Sequence, residues 1–152
     1  MNDHIRMLKN IGLKVTPQRL AILSVIKKDR SHPTAETIFR KISRRFPGMS
    51  FATVYNTLSR LVRAGEIREL DIDPDKRRFD PDVAPHHHFS CRICNKIYDV
   101  GHEPFPTPHI SRIEGHKVEK MELTFKGACS SCIGKSCRSL GDKEGRRRRK
   151  TK

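Results

Sequence analysis

Apolar side chains recur with a helical period through the first half of the chain and alternate in short runs through the second. Across residues 50–63, Phe51, Val54, Tyr55, Leu58, Leu61 and Val62 share one helical face, with Ser50 placed as N-cap and Gly65 as terminator. The opposite face shows Ala52, Thr53, Asn56, Thr57, Ser59, Arg60 and Arg63, small polar or cationic groups without an acid. Upstream, Thr34 can cap a helix with apolar positions Ile38, Phe39, Ile42 and Phe46, and Pro47-Gly48-Met49 supplies the break between the two. Thr16-Pro17 starts a third helix marked by Leu20, Leu23 and Ile26, preceded by a short helix around residues 4–11. Residues 66–72 and 77–80 read as strands flanking the turn Asp73-Pro74-Asp75. Helix, short turn, helix and then a two-stranded ribbon is a winged helix.

The second half reads as strands. Residues 97–100 form one, and Met121, Leu123 and Phe125 alternate along another. Residues 103–114, with Pro104, Pro106 and Pro108, leave room for one short helix, so a small α/β module is expected. The chain as a whole is then α+β, with a winged-helix domain over residues 1–80, a hinge over 81–85, a second domain over 86–134 and a tail over 135–152.

Charge assigns a partner to the first half. The formal net charge is +15, and residues 1–65 hold 13 basic side chains against 3 acidic, a balance suited to a polyanion. The cationic and polar face of the 50–63 helix is therefore read as reaching DNA bases and phosphates. Residues 81–134 are neutral and hold six of the eight histidines and four of the five cysteines, so coordination chemistry is separated from polyanion binding. The end, Arg146-Arg147-Arg148-Arg149-Lys150, has nothing to bury and reads as a disordered tail adding non-specific phosphate attraction. With no tryptophan and 6% aromatic residues in 152, the cores are modest and a large enzyme scaffold is excluded. No apolar run approaches the ~20 residues of a membrane span and the N-terminus lacks a signal's apolar stretch, so a cytoplasmic protein is expected.

Cys91-x-x-Cys94 and Cys129-x-x-Cys132, 34 residues apart, form a paired-knuckle pattern. Four thiolates complete the coordination of one Zn²⁺ and leave no position for water, which makes the site structural rather than hydrolytic. Redox disulfides are the competing use of such pairs. Cys137 stands apart. Of His86-His87-His88, the first and third point to one side of an extended backbone, and Asp80 and Asp99 lie near enough in sequence to join them. Such nitrogen and oxygen donors suit Fe²⁺, Mn²⁺ or Zn²⁺. The alternative is a polar surface strand.

Leu13-Lys14-Val15-Thr16-Pro17-Gln18-Arg19, His32-Pro33-Thr34-Ala35, Ala52-Thr53-Val54-Tyr55-Asn56-Thr57-Leu58 and Arg78-Phe79-Asp80, with the 86–94 segment and the second cysteine pair, resemble the ferric-uptake-regulator family of bacterial metal-dependent repressors. The resemblance spans about residues 5–135 and leaves out only the tail. It implies a homodimer, each subunit with an N-terminal winged helix and a C-terminal α/β dimerisation domain. It further implies one structural Zn²⁺ per subunit on Cys91, Cys94, Cys129 and Cys132, and one regulatory Fe²⁺ or Mn²⁺ on His32, Asp80, His86, His88 and Asp99. Asp99, where iron-uptake members usually place glutamate, and Asn56 look like the peroxide-sensing branch. There, hydrogen peroxide oxidises a ligand histidine, here His32 or His86, and metal and DNA are released. That is stoichiometric sensing and not enzymatic turnover.

The resemblance also implies an A/T-rich inverted repeat in double-stranded DNA as partner. Lys14, Arg19, Ser50, Ala52, Thr53, Tyr55, Asn56 and Arg60 are the expected DNA contacts, with Tyr55 against thymine methyls. His87 and Glu119-Lys120-Met121-Glu122 depart from the family pattern, and His102, His109 and His116 receive no role. Three alternatives stand beside this reading. One is a reversible iron-, manganese- or zinc-responsive repressor, and another a zinc-stapled binding module with no regulatory site. The third, a zinc hydrolase or deaminase, is disfavoured because no His-x-Glu precedes a Pro-Cys-x-x-Cys here.

Overall fold

The computed structural model describes residues 2–73, 76–101 and 110–133. Its first half is built from α1 (Asn2–Asn10), α2 (Pro17–Lys28), α3 (Ala35–Ser43) and α4 (Phe51–Arg63), followed by β1 (Arg68–Leu70) and β2 (Arg78–Asp80). Local chemistry starts three of the helices. Side-chain oxygens of Thr16, Thr34 and Ser50 accept the backbone N–H of Arg19, Thr37 and Thr53, each three residues on. At the far end of α4, Gly65 takes φ +70°, and Gly65 N–H and Glu66 N–H return to Val62 O and Leu61 O, a Schellman closure. The chain then turns into β1, which pairs antiparallel with β2 to make the wing.

The helices bury Leu8, Ile22, Ile26, Ile38, Leu58 and Leu61 in one core, with Phe79 of β2 closing it. Three positions of α4 depart from the sequence pattern. Phe51 and Tyr55 are exposed, while Thr57, on the polar face by periodicity, is buried and bonds the Thr53 carbonyl through its hydroxyl at 2.7 Å. A hydroxyl satisfied within its own helix can be buried at little cost. Also, α3 ends at Ser43, so Phe46 packs from the following turn rather than from the helix.

In the second half β3 (His87–Cys91) pairs antiparallel with β4 (Ile97–Val100) and parallel with β7 (Thr124–Gly127). Met121 and Leu123 precede that last strand, so the strand expected from Met121 onward begins three residues later. The short helix expected over 103–114 is not what the described part of that interval forms. Arg112–Ile113 (β5) and His116–Lys117 (β6) make a hairpin through Glu114 and Gly115, both at positive φ as its tight turn requires. Residues 102–109, Cys137 and the tail lie outside the described residues. The second core is small: Cys91, Cys129 and Cys132 with Phe89 and Ile93 beside them. Among the described residues no helix is long and apolar enough to cross a membrane.

A candidate metal centre between the two halves

Four segments deliver five donors to one point. His32 lies in the loop after α2, Asp80 ends β2, His86 directly precedes β3, and His88 on β3 stands opposite Asp99 on β4. Ligand atoms of these five side chains all lie within 4.8 Å of one another. His32, Asp80, His86 and His88 are buried, and Asp99 keeps about a third of its side chain exposed. His32 Nε2 is 2.7 Å from Asp99 Oδ1, His86 Nε2 is 3.0 Å from Asp80 Oδ2, and the two facing nitrogens His86 Nε2 and His88 Nε2 are 3.0 Å apart.

The two histidine–aspartate contacts are short without being well-directed hydrogen bonds. Both ring nitrogens of His32, and Asp80 Oδ2, are buried with no hydrogen-bond partner of proper geometry. Buried polar atoms left so are costly. Donors that converge on a common point rather than on each other are what a cation fits. At a metal–ligand distance of ~2.1 Å, adjacent donors stand ~3 Å apart and opposed ones ~4.2 Å, close to the separations found here.

The surroundings fix each donor's face. His86 Nδ1 lies 2.8 Å from the Ala84 carbonyl, and since a carbonyl only accepts, the proton sits on Nδ1 and the Nε2 lone pair faces the centre. Asp82 N–H donates to Asp80 Oδ1 at 2.8 Å and leaves Oδ2 turned inward. Asp99 presents Oδ1 inward while Oδ2 lies 3.8 Å from the Arg30 guanidinium, which itself bonds Asp82 at 3.0 Å. Burial holds the His32 imidazole below its usual pKa, only partly opposed by the Asp99 and Asp80 carboxylates, so the ring is neutral near pH 7. Burial pushes Asp80 up, but the His88 contact and the Asp82 N–H outweigh it and keep the carboxyl ionised. The two carboxylates of the cluster match a divalent ion in charge. His87, on the other face of β3, is buried and accepts Leu123 N–H at 3.2 Å through Nδ1.

The cysteine knuckles form a second cluster. The four Sγ atoms lie within 4.8 Å of one another, and Cys94 Sγ is 3.8 Å from Cys129 Sγ. All four are free, and 3.8 Å is near the ~3.75 Å edge of a tetrahedron with Zn–S of ~2.3 Å. Cys129 N–H donates to Cys91 Sγ at 3.3 Å, and this and other backbone amides hold the Cys91 thiol down at about 6, ready as a thiolate ligand. Turns at Cys91–Asn95 and Cys129–Ile133 are closed by Asn95 N–H to Cys91 O and Ile133 N–H to Cys129 O, each 2.9 Å.

The residues expected to contact DNA distribute unevenly. Ser50, Ala52, Tyr55, Asn56, Arg60 and Lys14 are exposed, whereas Thr53 and Arg19 are half-buried. Three are committed within the fold: Arg19 donates to Lys14 O at 2.8 Å, Arg60 donates to Ile11 O at 2.6 Å, and Ser50 Oγ accepts Thr53 N–H as the helix cap at 3.2 Å. Phe51 and Tyr55 stand exposed with ring centroids 6.5 Å apart at the start of α4. Asp82, Ala84 and Arg30 were not singled out by sequence. Asp82-Val83-Ala84 closes an Asx turn, a recognisable local signal, but what that turn positions depends on tertiary contact.

The profile of the ferric uptake regulator family matches residues 10–126. The peroxide operon regulator of Bacillus subtilis is 34% identical over 142 residues, spanning 89% of this chain and 94% of that protein. Among solved structures, the Campylobacter jejuni peroxide stress regulator superposes with a TM-score of 0.65 at 28% identity, covering 84% of this chain and 98% of that one. The Francisella tularensis ferric uptake regulator with iron gives 0.66 at 27% identity, covering 80% and 96%.

Proposed function

We propose, from the premise that this chain belongs to the ferric uptake regulator family, that it is a metal-dependent DNA-binding transcriptional repressor sensing hydrogen peroxide through iron-catalysed oxidation of a ligand histidine. The observation that carries this reading is the five-donor cluster drawn from both halves of the chain. His32 and Asp80 belong to the winged helix, His86, His88 and Asp99 to the part beyond it. Filling all five positions ties the halves together and sets the spacing of the two α4 helices in a dimer, which is what reading an inverted repeat requires.

Fe²⁺, when bound, supplies the one-electron chemistry that cleaves the O–O bond of peroxide. The residues decide where oxidation falls. Asp99 is the exposed edge of the cluster, and His32 and His86 lie 2.7 and 3.4 Å from its inner oxygen against 4.0 Å for His88. Those two rings are nearest the inner oxygen of the one partly exposed ligand, and an oxidised ring at either position loses its donor and with it the tie between halves. The four cysteines hold a structural Zn²⁺ that supplies the second half with the stability its small core lacks. The α4 helix, with Tyr55 and Asn56 exposed, enters the major groove of an A/T-rich inverted repeat. Residues 1–80 then act as the DNA-binding domain, 81–85 as hinge, 86–134 as the dimerisation domain, and the work is cytoplasmic.

Fluorescence anisotropy on an A/T-rich inverted repeat tests this. Mn²⁺- and Fe²⁺-loaded protein should both bind, with peroxide abolishing only the iron-dependent binding. Iron-dependent binding that survives peroxide would instead make the protein a reversible metal-responsive repressor.

A further inference from the structure

The motif Arg78-Phe79-Asp80 supplies a core residue and a ligand, and leaves Arg78 without a function. Arg78 sits on β2 with its side chain largely buried, and its guanidinium reaches two carbonyls in different halves of the molecule. Nη1 donates to His32 O at 3.4 Å and Nη2 to Asn95 O at 3.0 Å, with Asp73 Oδ2 a further acceptor at 3.4 Å. Both bridged residues have a left-handed backbone. His32 and Asn95 have φ of +52° and +55°; asparagine adopts this region readily, whereas the histidine is held there by surrounding contacts. His32 is a donor of the five-residue cluster, and Asn95 follows directly after Cys94 of the first knuckle. The neighbouring backbone is gripped by the same strand, through Phe79 N–H to Pro33 O at 3.1 Å and the bridge between Thr34 and Arg78.

We infer that Arg78 is a positioning residue that holds His32 in its ligating conformation and couples the cysteine knuckle to the regulatory metal site. The inference rests on the five-donor reading. A planar guanidinium with several fixed donors can brace two carbonyls at once, which the single ammonium of lysine cannot do with the same geometry. Binding at His32 is then felt at the knuckle, and by reciprocity a well-formed knuckle favours binding at His32.

The test uses the full-length, zinc-replete chain and Mn²⁺ as probe, titrated against the parent, R78A, H32A and the double variant. Arg78→Ala should weaken Mn²⁺ binding about 10-fold in the parent, as loss of an outer hydrogen-bonding partner does. In the H32A background the same change should cost less than about 2-fold, because Arg78 acts through His32. Amide exchange across residues 91–96 gives a readout that a merely structural role would not move: Mn²⁺ should slow it in the parent and not in R78A. If R78A loses zinc, R78K replaces it and should show the same pattern at smaller size. Equal loss in both backgrounds, or Mn²⁺ protection of the knuckle persisting without Arg78, overturns the inference. Equal Mn²⁺ affinity of parent and H32A overturns the ligand assignment and the inference with it, so the two failures are distinguishable.

Discussion

Asp80→Asn is the sharpest perturbation of the metal centre because it removes charge with almost no change of shape. Asp80 is fully buried, with Oδ2 3.0 Å from His86 Nε2 and 3.5 Å from His88 Nε2, and Oδ1 accepting Asp82 N–H at 2.8 Å. An amide keeps the Oδ1 bond, so the turn after β2 survives and the metal-free stability should change by less than ~1 kcal/mol. The inward oxygen is either replaced by NH₂ or neutralised. Any ion seated among donors within 4.8 Å of one another lies closer than ~4 Å to it, where a unit charge pair is worth ~4 kcal/mol and a divalent ion about twice that. Desolvating the buried carboxylate already offsets several kcal/mol of this, leaving a net loss of ~3 kcal/mol. Since ~1.4 kcal/mol is tenfold, Mn²⁺ affinity should fall by about 100-fold. Titration calorimetry on zinc-replete protein reads this directly, with thermal melting of the metal-free form as control. An Asp80→Asn variant that folds and binds Mn²⁺ within about 3-fold of the parent would refute the claim that this carboxylate is a ligand.

Other outcomes follow from the same geometry. Cys94→Ser should release the zinc and loosen the β3–β4–β7 sheet, because the second core is chiefly cysteine; metal analysis with amide exchange checks both, and retained protection in zinc-free protein would contradict it. Tyr55→Ala should weaken specific DNA binding by ~1–3 kcal/mol and leave random DNA little affected, as anisotropy on both would show. The pKa of His32 is depressed by burial, so the unfolded chain binds the proton more readily and His32's contribution to stability is full above ~6.5 and lost as pH falls below it. Metal-free parent should therefore lose more stability between pH 7.5 and 5.5 than His32→Gln in chemical denaturation; equal losses would remove His32 from the account.

What was legible in the sequence divides by range. The caps at Thr16, Thr34 and Ser50 and the glycine closure of α4 are decided within five residues, and they are found where the pattern put them. The knuckles and the His86/His88 pair carry their geometry in their spacing. Sequence and structure part where tertiary context or turn chemistry decides. Thr57 is buried because its hydroxyl finds a partner within the helix, which binary patterning ignores. Residues 112–117 form a hairpin whose two-residue turn takes positive φ at Gly115, where it is free, and at Glu114, where the pairing of the strands imposes it; only the glycine is a local signal. His32 is 48 residues from Asp80, and only the family resemblance brought it into the ligand set; nothing local to His32-Pro33-Thr34 announces a donor. The roles of Asp82, Arg30 and Arg78 emerge only when β2, the turn after it and β4 are seen together.

The central claim, that the cluster senses peroxide through its own histidines, is tested most directly by peptide mass spectrometry of anaerobically Fe²⁺-loaded protein after brief, near-stoichiometric hydrogen peroxide, with a Mn²⁺-loaded sample as control. One added oxygen is expected on the peptide carrying His32 or His86, in the iron sample alone. Unmodified histidines in iron-saturated protein, with DNA binding intact, would contradict it.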